Sequence, residues 1–262
     1  MTFIQILLLG IIEGITEFLP ISSTFHLIWT SRFLGLVQSD FIKLFEVFIQ
    51  SGAILAVVFM YGKQILKNTS LMKRLIVSFI PTAVVGYVLY GLIKGVFFES
   101  PLLTTSIFIG VGVVFLMVEF FIKKNIILTK KGINLLTYQD AVLIGLFQAL
   151  AVVPGVSRAG AVLIGMMILG YRRDESAKYS FMLSIPTILS ASAYDFWKMR
   201  EIISPDNNTV LLLTIGTVIA FFSAYFGVAW FIYYLQKHSL SLFGWYRVLI
   251  GIILLLVLLM SP

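Results

Sequence analysis

Six stretches of this chain, roughly residues 42–62, 75–97, 102–122, 175–197, 209–236 and 240–261, each approach the length that a bilayer-crossing helix needs and carry few charges. So much apolar sequence cannot be hidden in the core of a water-soluble domain of this size. The composition, 60% hydrophobic and 12% charged, excludes a water-soluble globular fold. The net charge of +7 then belongs to loops at a membrane surface. No basic patch with interleaved aromatics is present, so nucleic acid is not an expected partner. The chain has no cysteine, which removes disulfides and thiolate chemistry, and its two histidines cannot build a histidine-rich metal site. Its first apolar stretch is interrupted by Glu13 and Glu17 and lacks a basic leader, so a cleaved signal peptide is not expected and Met1 is expected to stay.

Two further apolar stretches are broken in the middle. Residues 2–35 carry Glu13, Glu17, Pro20, Ser22 and Ser23, and residues 138–172 carry Gln148, Pro154, Gly155, Ser157 and Arg158. Each reads as two short helices meeting at a polar elbow, which a bilayer tolerates only where protein or a water-filled cavity surrounds the bared backbone. Both are therefore expected to be re-entrant hairpins, giving an all-α integral membrane fold of six transmembrane helices plus two hairpins. With each hairpin returning to the side it left, one side collects twelve basic residues: Lys63, Lys67, Lys73, Arg74, Lys123, Lys124, Lys130, Lys131, Arg172, Arg173, Lys178 and Lys237. The other side has five, Arg32, Lys43, Lys94, Lys198 and Arg200, while Arg158 and Arg247 stay within the membrane. The richer side is expected to be cytoplasmic, with both termini outside. Lys123, Lys124, Lys130 and Lys131 would anchor it near anionic headgroups.

Hairpin plus three spans thus occurs twice with opposite entry sides, an inverted repeat within a single polytopic domain, 1–262, with repeats 1–122 and 138–262. Short echoes agree with it: Gly10-x-x-Glu13 before Pro20-x-Ser22, against Gly145-x-x-Gln148 before Pro154-x-x-Ser157, and Phe48-x-x-Ser51 against Phe181-x-x-Ser184. Paired broken segments of this kind point to a binding site at the membrane midplane.

The elbows carry the chemistry. Glu13 and Glu17 share a helix face, and two carboxylates at membrane depth require either a shared proton or a cation between them. A hard divalent ion on Glu13 and Glu17 would resolve the repulsion and could grip phosphate oxygens. Ser22, Ser23 and Thr24 can cap a helix N-terminus, or one of them can act as a nucleophile near a base, with His26 on the same turn. In the second elbow Gly155 and Gly160 let backbone amides approach an anion, and Arg158 offers a two-point fork for phosphate or a bridge to a glutamate. Glu46 and Gln50 on the first full span are candidate supports for the carboxylates. Arg247 and Glu119 are expected to form a structural ion pair near the cytoplasmic ends of their spans.

The string from Glu13 to His26, with Pro154-Gly155-Val156-Ser157-Arg158, resembles the undecaprenyl-diphosphate phosphatase family associated with bacitracin resistance. The likeness extends over nearly the whole chain, including Phe45-Glu46-Val47-Phe48-Ile49-Gln50 and Tyr246-Arg247. It implies a plasma-membrane enzyme, its active site facing outside, that removes the terminal phosphate of a polyprenyl diphosphate and recycles the lipid carrier for cell-wall synthesis. It also implies dependence on a divalent cation, Mg²⁺ or Ca²⁺. Ser23 matches the nucleophile, Glu13 and Glu17 the acidic motif, His26 the nearby histidine, and Ser157 and Arg158 the phosphate loop. The catalytic set is then Glu17, Ser23, His26 and Arg158, with Ser22, Thr24, Gly155, Ser157 and Gln50 binding substrate and Glu13 and Glu17 the metal. The expected partners are the polyprenyl diphosphate lipid and the bilayer, with a homodimer left open. Three positions depart from the family pattern: Phe25 replaces a glycine, and Ala159 and Val162 replace hydroxyl residues expected to face the anion. Inverted repeats around broken helices are also the architecture of carriers, so a lipid or anion transporter is the alternative.

The cysteine-free background gives a direct test of topology. Single cysteines at Ser39 and Asn207 should react with an impermeant thiol reagent from outside the cell, and those at Asn68 and Asn125 should not. Labelling of the Asn125 variant from outside would overturn the re-entrant hairpins.

Overall fold

The computed structural model describes residues 1–36, 39–92, 100–199 and 207–260, and all regular elements among them are helices. Lys94 and Arg200, and the ends of the expected stretches beyond Leu92 and Met260, lie outside the described residues. The first broken stretch forms α1 (Phe3–Thr16) and α2 (Ser23–Phe33). Three long helices follow, α3 (Asp40–Lys67), α4 (Thr69–Leu92) and α5 (Pro101–Lys123). The second broken stretch forms α6 (Tyr138–Ala149), a 3₁₀ turn at Leu150–Val152, and α7 (Arg158–Ile168). Then come α8 (Arg173–Met199), α9 (Asn207–Lys237) and α10 (Ser241–Met260).

Helices α3, α4, α5, α9 and α10 are long and apolar enough to cross a membrane, which makes this a multi-pass membrane protein. Helix α8 covers the sixth expected stretch and has the length, but Asp174, Glu175, Lys178, Asp195 and Lys198 dilute its apolar character. Its position explains the tolerance. It packs on α3, α4, α7 and α9, and Ser176, Ser180 and Ser184 are buried among protein rather than turned to lipid.

Both broken stretches fold back on themselves. α1 starts with a capping box in which Thr2 and Gln5 satisfy each other's backbone, and α6 starts with the same device from Thr137 and Asp140. At the open end of the first hairpin Gln5 Nε2 donates to the Leu34 carbonyl at 3.5 Å, so the chain leaves α2 beside the start of α1. At the open end of the second, the Tyr171 hydroxyl donates to Asp140 at 2.8 Å. Burial, the bond to Asp140 and that carboxylate's charge push the Tyr171 phenol above its usual range and keep it a neutral donor.

Each hairpin packs on a long helix of the other half, α1 on α9 and α6 on α4. Close approach needs glycine at both contacts. A Cβ on Gly10 would stand 3.1 Å from the Gly216 carbonyl, and one on Gly145 would run into the Ser78 carbonyl. Hydroxyls tie α4 to α6: Ser78 donates to the Ala141 carbonyl at 2.7 Å and Thr82 to the Gly145 carbonyl at 3.2 Å. Helices α5 and α10 pair with each other, as do α3 and α8.

Candidate active site

The two elbows meet in the interior. α1 ends at Thr16, whose hydroxyl turns back to the Ile12 carbonyl at 2.6 Å, and Glu17 caps the helix with its side chain directed inward. Ser22 then takes a positive φ of 66°, and Ser157 in the second elbow takes 75°. Both are non-glycine residues in a conformation that costs of order 1–3 kcal/mol, and each is the N-cap of the helix that follows. The strain turns the chain sharply enough to put Ser23 and Arg158 at the first positions of α2 and α7, where free amide groups and the helix dipole favour an anion.

Glu17 joins the two elbows. Its Oε2 accepts a hydrogen bond from the Ser23 hydroxyl, and its Oε1 accepts one from Arg158 Nη2 at 3.1 Å. The Arg158 Nε and Nη1 groups are buried without an acceptor among the described residues. Their side chain lies over the Phe18 ring, 5.9 Å from its centroid. Glu13, one turn before Glu17 and buried, has no hydrogen-bond partner for either carboxylate oxygen among the described residues. It feels the charges of Glu17, Glu46 and Arg158. Among the described residues no three His, Asp or Glu side chains converge tightly enough to cage an ion by themselves.

A cavity of about 770 Å³ opens over Glu17 and Arg158, with Glu13 behind Glu17 and outside its lining. Glu17, Ser22, Ser23, Thr24, Gln50, Gly155, Ser157 and Arg158 all line it. Gln148, whose amide reaches Thr82 at 2.8 Å and Thr187 at 3.2 Å, lines it too, although sequence reading used that residue only as an echo of Glu13. His26 does not line this cavity. Its Nδ1 meets the Ser22 carbonyl at 2.8 Å and its Nε2 the Tyr246 hydroxyl at 2.7 Å, beside a separate apolar pocket of about 430 Å³.

A model of the family described as Bacitracin resistance protein BacA matches residues 6–253. The chain belongs to the BacA family. Relatives in that family include an undecaprenyl-diphosphatase of Persephonella marina, 45% identical over 98% of this chain and 99% of its own length. Another, from a Sulfurihydrogenibium species, is 44% identical over 97% of this chain and 98% of its own. That of Aquifex aeolicus is 42% identical, with 97% of both chains covered.

Two expectations change once the BacA chain is folded. Arg247 does not pair with Glu119. Glu119 is taken by Arg173, whose Nε donates to it at 2.8 Å, and by the Leu240 amide at 2.8 Å. Arg247 lies deeper, beside Phe108, which is eleven residues or about 16 Å along α5 from Glu119. It is fully buried and donates to three backbone carbonyls: Phe108 at 3.0 Å, Pro20 of the first elbow at 3.0 Å, and Gly155 of the second. Its charge also rests 4.4 Å from the Phe108 ring centroid. Sequence reading missed this because an elbow carbonyl leaves no mark in the residue letters.

The departures from the family pattern also look different in three dimensions. Phe25 is buried and stacks on Phe108 with centroids 3.8 Å apart, so it fills space behind the first elbow. Val162 belongs to the core cluster of Leu75, Ile144, Met166 and Leu183, and neither it nor Ala159 lines the cavity. The hydroxyls lost there do not subtract from the anion site.

Two outcomes follow for purified protein. Arg247→Met leaves the buried Pro20 and Gly155 carbonyls without the guanidinium donor, a loss of about 2 kcal/mol or more, and should lower the melting temperature by roughly 4–8 °C. An unchanged melting temperature would remove Arg247 as the tie between elbows. Val162→Thr should leave turnover within about twofold while costing about 1–2 kcal/mol of stability for the buried hydroxyl. A rise of tenfold would return that position to the anion site.

Proposed function

We propose that this chain is an integral membrane phosphatase that hydrolyses undecaprenyl or a similar polyprenyl diphosphate to the monophosphate and phosphate. The observation that carries the reading is the Ser23 hydroxyl held on Glu17 while Arg158 holds the same carboxylate, with all three residues lining one cavity. A serine with a base in hydrogen-bond contact is an activated nucleophile, and a guanidinium fork with spare donors is suited to the phosphoryl group it attacks. Family membership and the names of the undecaprenyl-diphosphatase relatives supply the substrate class. The product monophosphate is the lipid carrier returned to cell-wall synthesis.

Ser23 Oγ attacks the terminal phosphorus as its proton passes to Glu17, and the bond to the bridging oxygen breaks, the proton on Glu17 passing to the departing lipid monophosphate. Glu17, a carboxylate again, takes a proton from a water that attacks the phosphoserine, and as the phosphorus–Oγ bond breaks that proton returns to Ser23 Oγ and phosphate leaves. Arg158 and the amides at the starts of α2 and α7 stabilise the charge that spreads over the equatorial oxygens. Ser22, Thr24, Ser157, Gly155 and Gln50 line the space around the diphosphate. His26, with both ring nitrogens engaged, holds the Ser22 carbonyl and so positions Ser23.

The donor set fits a divalent cation, because two carboxyl groups stand one helical turn apart and both Glu13 oxygens are buried without a partner among the described residues. Mg²⁺ or Ca²⁺ on these carboxylates would complete its shell with phosphate oxygens and water, and it would neutralise the substrate's charge. All these groups come from one chain, so the chemistry needs no second protomer.

For topology we read six spans, with α8 the sixth, two re-entrant hairpins, and the cavity facing outside the plasma membrane. The support is the return of each hairpin to its own start and the positive-charge bias of the loops. The inverted repeat is supported by matched features 135 residues apart: capping threonines at 2 and 137, Gly10 and Gly145, Glu13 and Gln148, and the positive-φ serines at 22 and 157. Exchange of the halves also maps α1 on α9 to α6 on α4, while α5 with α10 and α3 with α8 map onto themselves.

Purified protein given undecaprenyl diphosphate should release phosphate, and a chelator should abolish the release. Ser23→Ala and Glu17→Gln should each lower turnover by at least about a hundredfold, the usual range for loss of acid–base assistance, and Ser22→Ala less. No phosphate release by the wild type would favour a carrier on the same scaffold. Full activity of Ser23→Ala would move the nucleophile elsewhere.

A further inference from the structure

The cavity of about 770 Å³ falls within the range that encloses a drug-sized molecule, about 300–1,000 Å³, so it cannot hold a prenyl chain of tens of carbons together with the diphosphate. On the polyprenyl-diphosphate reading above, the tail must leave the cavity through a definite opening. The pocket beside His26 and Tyr246 is not that opening, because its walls share no residue with the cavity.

Helices α4 and α8 run side by side and in the same direction. They touch where the Ser78 and Tyr179 hydroxyls meet at 2.8 Å. One turn further along α4, Gln148 of α6 stands between them, with its Nε2 on Thr82 of α4 at 2.8 Å and on Thr187 of α8 at 3.2 Å. Each threonine follows a proline inside its helix, Pro81 and Pro186, where a backbone donor is missing and a helix bends. Beyond this wedge the facing walls of the cavity are mostly small or aromatic, with Ala83, Gly86 and Tyr87 on α4 and Ala191 and Tyr194 on α8, and Ser190 and Asp195 of α8 are their polar members. The neighbouring outward positions, Val84 and Val88 on α4 and Leu189 and Trp197 on α8, are exposed and apolar, as a lipid-facing surface requires. Gly86 itself has open space where a side chain would start.

We propose that the cleft between the C-terminal halves of α4 and α8 is the seat of the substrate's isoprenoid tail, with Gln148 as its closed end and Gly86 at its lips. The diphosphate sits against Ser23 and Arg158, the first isoprene unit lies against Ala83, the following units pass between Gly86 and Ala191, and the remainder enters the bilayer. Chain-length preference is then decided by α4 and α8 rather than by the elbows.

The test uses Gly86→Cys in the otherwise cysteine-free protein, so that bulk is added after folding. Alkylation with a bulky, membrane-permeant maleimide should lower kcat/KM for the C55 diphosphate at least about tenfold, since each displaced methylene is already about fourfold in affinity. For the C5 diphosphate, whose tail ends before the lips, kcat/KM should stay within about twofold. C55 diphosphate with chelator present should also slow alkylation at Gly86→Cys and not at Val84→Cys, whereas C5 diphosphate should protect neither. Equal effects on both substrates, or no protection by the C55 lipid, would overturn the tail cleft while leaving the phosphatase reading in place. If unmodified protein releases phosphate from neither lipid, the phosphatase reading fails and takes this one with it.

Discussion

Breaking a helix at membrane depth bares backbone carbonyls that lipid cannot hydrate, and in this chain Arg247 answers that demand. Its guanidinium reaches Pro20 in one elbow, Gly155 in the other and Phe108 on α5. A charge buried this completely is costly, and no carboxylate is bonded to it among the described residues; three carbonyl dipoles and the face of Phe108 stabilise it instead. The same side chain thereby fixes the separation of the two elbows. Ser23 and Glu17 come from the first elbow region and Arg158 from the second, so the geometry of the contact among these three side chains depends on that separation.

The remaining architecture can be read as support for this junction. Both hairpins are closed at their far ends by polar contacts, Gln5 with Leu34 and Tyr171 with Asp140, and are pressed by glycine contacts onto long helices of the opposite half. The strained serines at the elbows persist because the surrounding packing leaves them no alternative. Strain at Ser22 and Ser157 is local and modest, whereas the return is an arginine fork and a serine hydroxyl placed on one carboxylate in a water-poor cavity, where each electrostatic contact counts for more than it would in water.

Charge balance ties the site to its substrate. On the reading proposed above, an anionic diphosphate entering beside the carboxyl groups of Glu13 and Glu17 calls for a cation to accompany it. The unbonded oxygens of Glu13 and the spare N–H groups of Arg158 are two halves of that requirement, one suited to a cation and the other to phosphate.

Five of the six expected spans and the two breaks were legible in the sequence because both follow from local rules: a bilayer sets helix length, and charges or prolines inside an apolar run mark a break. The residues that line the cavity were legible for the same reason, since polar side chains at membrane depth need a functional or structural partner. Which partner each one takes was not. Glu17 rather than Glu13 meets Ser23 and Arg158, His26 turns to Tyr246, Arg247 abandons Glu119 for the elbow carbonyls, and Val162 faces the core. Helical periodicity gives the face on which a side chain lies but not the axial register between helices distant in sequence. Glu17 and Arg158 are 141 positions apart, and Pro20 and Arg247 are 227. Those meetings were decided by how the glycine contacts and buried hydroxyls let the two halves slide together, which only the packed tertiary structure specifies.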